Sequence, residues 1–281
     1  MTDRKPTDRD IDVYGVTHAG KVRKENQDHF LIGALSRQLR VDRSSLPAGV
    51  ALPFGSERVA SLAMVADGVG SGAGEEASRA ALLAIARYVE RASYAYYTSE
   101  AEDRHQFASV LSEAALECHA ELLQRGEAGP GRGRMATTLT LWLGLWPDAY
   151  LLQVGDSRCY MFRDGHLSQI SRDQTMAQDL VDQGVLTQTK AHNTKWAHVL
   201  SSAIGGQEAA PVVTRVVRDW GTVVLLCSDG LFKHVPDDRI AERLRTMTSS
   251  RQACEALLQD ALDDGGTDNI TIVIGRTIRP A

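Results

Sequence analysis

Apolar residues recur at helical spacing in several stretches of the chain. The two longest lie in the first half: residues 75–97 are rich in alanine, and residues 106–125 repeat the pattern of one apolar face. A glycine-rich segment at residues 126–133 predicts a loop after the second stretch. Further helices are predicted at residues 174–184, 236–247 and 251–262.

Elsewhere apolar and polar residues alternate with a period of two, which predicts short strands. The clearest of these strands cover residues 138–145, 150–154, 159–162, 212–217, 223–227 and 270–275. Asp164 and Gly165 predict a hairpin, because an Asp-Gly pair suits a tight type I′ turn. Two prolines and two glycines at residues 46–57 predict a loop between two strand-like segments, whereas residues 187–206 fit neither pattern.

The order of these elements is strands, two helices, strands, two helices and a strand. Helices segregated from runs of hairpin-connected strands favour an α+β fold over a doubly wound α/β fold. Each helix pair can cover one sheet face, so the pattern predicts a layered sandwich of mainly antiparallel strands. Residues 1–12 are polar and charged and are expected to form a flexible N-terminal arm, with a single domain at residues 13–278.

Composition narrows the possible functions. The 281 residues allow one large domain or two small ones, and 43% hydrophobic with 24% charged residues is ordinary for a globular chain. The net charge of -5 argues against nucleic-acid binding, and no apolar run approaches the ~18 residues of a membrane span. The four cysteines have no zinc-site spacing and indicate free thiols, so we expect a cytoplasmic protein.

Aspartates fall at the ends of predicted strands. They are Asp67, Asp156, Asp229 and Asp268. If the last strand pairs antiparallel with residues 223–227, then Asp229 and Asp268 are neighbours in space. A cluster of carboxylates is costly without a cation, and oxygen ligands favour Mg²⁺, Mn²⁺ or Ca²⁺. For any single aspartate a simple turn is the alternative, because Asp-Gly pairs are common after strands.

An ordered set of motifs surrounds these aspartates. It comprises RKENQD at residues 23–28, VADGVG at 65–70, GEEAS at 74–78, ATTL at 136–139, VGDSR at 154–158, SDGL at 228–231 and DNIT at 268–271. Together these motifs resemble the metal-dependent PP2C (PPM) protein serine/threonine phosphatases of bacterial type. The resemblance spans about Gly15 to Gly275, and the order of the motifs makes it specific.

The resemblance implies a four-layer αββα sandwich, with two mainly antiparallel sheets flanked by helix pairs and a dimetal centre at one end. It implies two Mn²⁺ or Mg²⁺ ions and a possible third. Asp67 would bridge two ions, with the carbonyl of Gly68 on one of them. Asp229 and Asp268 would complete the other ion, and Asp28 would serve the second directly or through water. Asp156 with Asp229 matches the third-metal site of bacterial-type members.

The implied reaction is in-line hydrolysis of phosphoserine or phosphothreonine by a water that the two metals activate. Arg23 would hold the phosphate with its guanidinium, and Asp67 and Asp229 would be catalytic. Asn269 would support the site by orienting Asp268 or a metal-bound water, or it would be a turn residue.

Several roles stay open or are disfavoured on the residues alone. Thr138 and Ser157 are expected to be structural hydrogen-bonding groups, because neither has an identifiable His–Asp partner for a covalent mechanism. The general acid is unassigned. Its candidates are a metal-bound water or one of His18, His192, His198 and His234.

Two features depart from the family pattern. Ser71 stands where bacterial-type members usually have a second glycine, and Gln174 stands where they have histidine. Gln174 precedes a predicted flap at residues 176–198, so these differences concern substrate choice more than catalysis.

Expected partners are phosphorylated proteins that a partner serine/threonine kinase modifies, without nucleic acid or membrane, and the chain is expected to be a monomer. One alternative is a catalytically weak PP2C-like binding or regulatory module, although Asp67 and Asp229 are both retained. Another is dinucleotide binding at residues 68–73, but Glu90, the acidic residue at the right distance, lies inside a predicted helix. A calcium-binding structural domain lacks the acidic loop run it would need.

Overall fold

The computed structural model describes residues 4–36, 39–44, 60–70, 72–98, 106–127, 135–191 and 194–279. The loop predicted at residues 46–57 lies outside the described residues. So do residues 128–134, Ser71 and His192.

The described strands form two sheets in which every neighbouring pair is antiparallel. In chain order they are β1 (Ile11–His18), β2 (Asp28–Leu35), β3 (Leu39–Ser44), β4 (Ala60–Val69), β5 (Ala136–Thr137), β6 (Leu139–Leu145), β7 (Asp148–Val154), β8 (Arg158–Arg163), β9 (His166–Gln169), β10 (Val212–Val217), β11 (Val223–Cys227) and β12 (Ile270–Thr277). One sheet has the order β10-β7-β6-β4-β2-β3 with β5 paired to β4, and the other has the order β1-β12-β11-β8-β9.

Helices cover the outer face of each sheet. The described α-helices are α1 (Gly74–Thr98), α2 (Gln106–Glu127), α3 (Met176–Asp182), α4 (Gln188–Ala191), α5 (Asp229–Phe232), α6 (Asp237–Arg245) and α7 (Ser250–Asp263). Buried side chains of α1 and α2 pack on the seven-stranded sheet, and those of α6 and α7 pack on the five-stranded sheet. A third buried cluster, which includes Phe30, Trp142 and Leu226, fills the space between the sheets. The predicted four-layer α+β sandwich is therefore confirmed.

The predicted helices lie close to the observed ones, because each long helix buries one continuous apolar face. The predicted strand at residues 138–145 is divided instead. Thr138 separates β5 from β6, and its backbone N–H donates to the carbonyl of Asp67 at 2.9 Å. Asp164 and Gly165 both have positive φ, 50° and 82°, which confirms the tight hairpin turn.

The two ends of the described chain meet in the five-stranded sheet. Strand β1 begins at Ile11, so it includes the last two residues of the segment expected to be an arm, while Arg4 is bonded to Asp10 at 2.7 Å. Strand β1 pairs along its whole length with β12, from Ile11 opposite Thr277 to His18 opposite Ile270.

No helix in the described part of the chain is long and apolar enough to cross a membrane.

Candidate metal centre

The register of two central strands places a pair of carboxylates side by side. Asp28 at the start of β2 lies directly opposite Asp67 near the end of β4. Like charges at such positions repel each other, and Asp28 is only 2% exposed. Burial, together with the charge of Asp229, raises the pKa of Asp28 to about 7. Burial and the charge of Asp28 raise the pKa of Asp67 well above its usual range.

Asp229 and Asp268 join this pair from the other sheet. Strand β11 pairs antiparallel with β12, as predicted, so Asp229 just after β11 lies beside Asp268 just before β12. Burial raises the pKa of Asp229. Burial alone would also raise the pKa of Asp268, but hydrogen bonds and charge from Arg23 and Lys233 hold it below its usual value.

Asp156 lies where the chain passes from one sheet to the other, between β7 and β8. Burial raises its pKa to about 7, with further contributions from the charges of Asp229 and Asp173. The structure therefore brings together all five aspartates that the motifs singled out. They share one end of both sheets, and the charge of each of the other four raises the pKa of Asp67.

Backbone contacts fix the strand that carries Asp67. The Thr138 hydroxyl accepts the Asp67 N–H at 3.0 Å and is 2.7 Å from the Ser157 hydroxyl. Both hydroxyls thus have structural hydrogen bonds, as expected. Gly68 packs against Gly74 so closely that a Cβ on Gly68 would lie 2.3 Å from the Gly74 carbonyl oxygen. Only glycine allows this approach between the backbone after Asp67 and the start of α1.

Ser228 links both sheets at the centre, although no sequence motif assigned it a role. Its hydroxyl donates to Asp28 Oδ2 at 2.6 Å and accepts the Thr271 N–H at 2.9 Å. The other oxygen of Asp28, Oδ1, is buried and has no hydrogen-bond partner in the described part of the chain. A buried carboxylate oxygen is costly to leave unsatisfied, so this atom is suited to bind a cation.

Arg23 is placed at the rim of the centre. Its Nε lies 2.8 Å from Asp268 Oδ1 and its Nη2 donates to Asp268 Oδ2 at 3.0 Å, so the two side chains form a fork. The Asp268 carboxylate raises the pKa of Arg23. The Arg23 side chain is 57% exposed, and it can therefore reach a group that approaches from solvent.

Asn269 holds the loop that carries Arg23 rather than contacting Asp268 through its side chain. Its Oδ1 accepts the Gln27 N–H at 2.8 Å, and its Nδ2 donates to the carbonyls of Ala19 and Glu25 at 3.0 and 2.9 Å. Only its backbone N–H donates to Asp268 Oδ1, at 3.0 Å. The side chain thus ties residues 19–27 to the start of β12.

The candidate histidines occupy different environments. His234 is bonded through both ring nitrogens, to Asp264 at 3.0 Å and to Thr267 at 2.9 Å. The Gly20 N–H donates to Nδ1 of His18 at 2.9 Å. His198 ends the short 3₁₀ helix Lys195–His198 within the predicted flap.

The donor set fits a hard cation, although its side chains are not yet arranged around one. Within the described ranges, no three acidic, histidine or cysteine side chains form a finished metal site. The reason is visible in the contacts: Asp268 is held by Arg23 and Lys233, and Asp28 is held by Ser228. Carboxylate oxygens, one of them buried without a partner in the described part of the chain, are nevertheless the donors that Mg²⁺ and Mn²⁺ prefer.

Fold and site together define a class of αββα proteins with a carboxylate centre at one end of two sheets. The profile of the family described as Protein phosphatase 2C matches residues 51–264, which is more than half of the chain. The chain therefore belongs to the protein phosphatase 2C family, in agreement with the resemblance in its motifs.

Named relatives agree with this assignment. Serine/threonine protein phosphatase PstP of Mycobacterium tuberculosis is 33% identical over 220 residues, which cover 78% of this chain and 41% of that protein. Serine/threonine phosphatase stp of Listeria monocytogenes is 27% identical over 215 residues, which cover 76% of this chain and 83% of that protein. The chain spans about two fifths of the length of the M. tuberculosis relatives.

Solved structures show the same fold. The M. tuberculosis phosphatase PstP/Ppp superposes with a TM-score of 0.74 at 28% identity and covers 96% of this chain and 99% of that one. The catalytic domain of PstP in complex with two manganese ions has a TM-score of 0.68 at 27% identity, with coverage of 96% and 99%.

Proposed function

We propose that this chain is a metal-dependent protein serine/threonine phosphatase. The observation that carries the proposal is the meeting of Asp28 and Asp67, a directly opposed pair in one sheet, with Asp229 and Asp268 from the other sheet. Such a cluster has a high electrostatic cost, which bound divalent cations remove. The family assignment and the two manganese ions of the PstP structure support the same conclusion.

The aspartates would hold two Mn²⁺ or Mg²⁺ ions. Asp67 would be shared between them, with the Gly68 carbonyl on one; Asp229 and Asp268 would complete the other, and Asp28 would serve the second. Asp156 with Asp229 offers oxygens for a third. When bound, such ions supply an activated water at neutral pH and positive charge for the phosphoryl oxygens.

The remaining chemistry belongs to side chains of the chain itself. Arg23 would bind two phosphate oxygens with the two N–H groups that now face Asp268. Asp67 and Asp229 would be the catalytic carboxylates, since each is placed where both sheets meet. Asn269 supports them by holding residues 19–27, and thus Arg23, at the rim. The hydroxyls of Thr138 and Ser157 are hydrogen-bonded to each other, which disfavours a serine nucleophile.

The names of the relatives support phosphorylated proteins as substrates. We accordingly propose that the chain reverses the action of a partner serine/threonine kinase, and that it acts as a cytoplasmic monomer. The domain would be a single unit over residues 13–278, because its carboxylates come from both ends of that range.

The test is hydrolysis of p-nitrophenyl phosphate and of a phosphothreonine peptide by the purified chain. We expect activity with Mn²⁺ or Mg²⁺, loss of activity with EDTA, and recovery when the metal is returned. Asp229→Asn should reduce kcat/KM by roughly 100-fold or more, since it removes a ligand. Asp263→Asn, an exposed change of the same kind on α7, is the matched control and should keep full activity.

Two results would contradict the proposal. Full activity of Asp229→Asn would show that the carboxylates are wrongly assigned. A wild-type chain that binds Mn²⁺ and phosphopeptide without hydrolysis would instead be a PP2C-like binding or regulatory module.

A further inference from the structure

Lys233 reaches into the candidate centre from the turn that carries Asp229. Its backbone N–H donates to the Asp229 carbonyl at 3.0 Å, so the two residues are one helical turn apart and share a face. Its Nζ lies 2.5 Å from Asp229 Oδ2 and 3.2 Å from Asp268 Oδ2. The side chain is 26% exposed, and its charge partly offsets the burial that raises the pKa of Asp156.

The two carboxylates that Lys233 joins are the pair proposed to complete one metal ion. An ammonium and a divalent ion need the same oxygen lone pairs, because both bind at the open side of the carboxylates. Binding of the ion therefore requires these contacts to break or lengthen. The single positive charge of Lys233 also repels a divalent ion that approaches within a few ångströms.

We infer that Lys233 is a tethered cation that competes with the divalent ion for Asp229 and Asp268, and so raises the metal concentration at which this part of the centre fills. The inference rests on the proposed function, since it assumes that these two carboxylates are metal ligands. It goes beyond that function by assigning the chain its own control over metal occupancy.

The same charge acts in opposite directions in the two states of the protein. Without metal, the ammonium offsets the repulsion among the aspartates and stabilises the fold. When the metal is bound, the divalent ion offsets this repulsion more strongly, and the ammonium repels the ion. A lysine with a purely structural role would stabilise both states equally, so the two roles differ in a measurable sign.

The experiment uses the full chain, freed of metal with a chelator and titrated with Mn²⁺ in a calorimeter. Lys233→Met keeps the length of the side chain without its charge, and Lys233→Gln is a second neutral variant. We expect both to lower the Kd for Mn²⁺ by about tenfold or more, which corresponds to roughly 1.4 kcal/mol. Lys233→Arg keeps the charge, and Lys190→Met removes an exposed lysine of α4; both should stay near wild type.

Thermal unfolding supplies a second measurement. In the metal-free state Lys233→Met should have a Tm roughly 2–5 °C below wild type, and this deficit should disappear or reverse with saturating Mn²⁺. An unchanged or weaker affinity for Mn²⁺ in both neutral variants would overturn the inference. So would an equal loss of Tm with and without Mn²⁺. If the wild-type chain binds no Mn²⁺ at all, the proposed function itself fails, and this inference fails with it.

Discussion

Asp67 shows how a neutral neighbour can position a charged residue. The hydroxyl of Thr138 is the acceptor for the Asp67 N–H at 3.0 Å, and the Thr137 hydroxyl donates to the Asp67 carbonyl at 2.8 Å. Thr138 is also bonded to Ser157 from the connection between the sheets. These hydrogen bonds hold the backbone of Asp67 near the end of β4 and do not involve its carboxylate.

Replacement of Thr138 tests this arrangement. Thr138→Val keeps the shape of the side chain but leaves the Asp67 N–H without an acceptor, which should reduce the free energy of unfolding by about 1–3 kcal/mol. Thr138→Ser keeps the hydroxyl and should lose less. Urea denaturation of both variants without metal measures the difference, and equal stability of the two would contradict the proposed role of the hydroxyl.

The residues of the centre were predictable to different degrees. Four of the aspartates follow or precede an apolar run, so the pattern along the chain was enough to single them out: Asp67, Asp156, Asp229 and Asp268. Asp28 was indicated only by the resemblance of its motif to the family. Ser228 was not found, because its contact with Asp28 spans 200 residues. Lys233 has a local signal, since it follows Asp229 by four positions, but its second contact with Asp268 depends on how β11 and β12 pair.

At the scale of elements, α6 and α7 are joined by one carboxylate and two arginines. Asp260 on α7 accepts hydrogen bonds from Arg239 at 3.0 and 3.1 Å and from Arg243 at 2.7 Å. The hydrogen bond from Arg243, together with Arg239, lowers the pKa of Asp260 from 3.8 to about 2. This group links the two helices that cover the five-stranded sheet.

The lowered pKa predicts an acid-sensitive contribution to stability. Because the folded carboxylate protonates at a lower pH than the unfolded one, its contribution is full above pH 4 and is lost as the pH falls towards 2. Asp260→Asn should therefore reduce the free energy of unfolding by about 1–2 kcal/mol at pH 7 and much less near pH 2.5.

Urea denaturation at both pH values measures this difference. Glu255→Gln, which breaks an exposed pair with Arg251 on the same helix, is the control and should change stability by less than about 0.5 kcal/mol. A deficit of the Asp260 variant that is the same at both pH values would contradict the assignment.

Long helices, in which the apolar spacing repeats over many turns, were more predictable than short elements that depend on tertiary contacts. The bounds of α1 and α2 follow from apolar spacing over many turns, and the structure extends them by no more than a few residues. The four-residue α5 is too short to show a period, and the break between β5 and β6 depends on a contact with Asp67. Local pattern therefore predicts the helices, whereas tertiary contacts determine the short elements beside the centre.

For the whole molecule, the centre joins the two sheets. Asp28 and Asp67 belong to strands of the seven-stranded sheet, whereas Asp229 and Asp268 flank strands of the five-stranded sheet. Asp156 lies in the connection between them. An ion held by these carboxylates as proposed would contact both halves of the sandwich, and its free energy of binding would add to the free energy of unfolding of the whole domain.

Scanning calorimetry with and without metal tests this coupling. We expect a single transition that moves upward with Mn²⁺, by roughly 5–10 °C when Mn²⁺ is at 100 times its Kd, and returns with EDTA. In Asp229→Asn the shift should be much smaller. Two transitions, only one of which responds to Mn²⁺, would show that the sheets unfold independently.

The pairing of β1 with β12 also has a consequence for biosynthesis. The first strand of the five-stranded sheet has its partner only when residues 270–277 have left the ribosome, and Asp268 reaches its place in the same step. At ~5–20 residues per second, a nascent chain waits roughly 13–50 s between the two strands. During that interval it carries an incomplete centre, so the proposed centre and its activity can form only after residues 270–277 have left the ribosome.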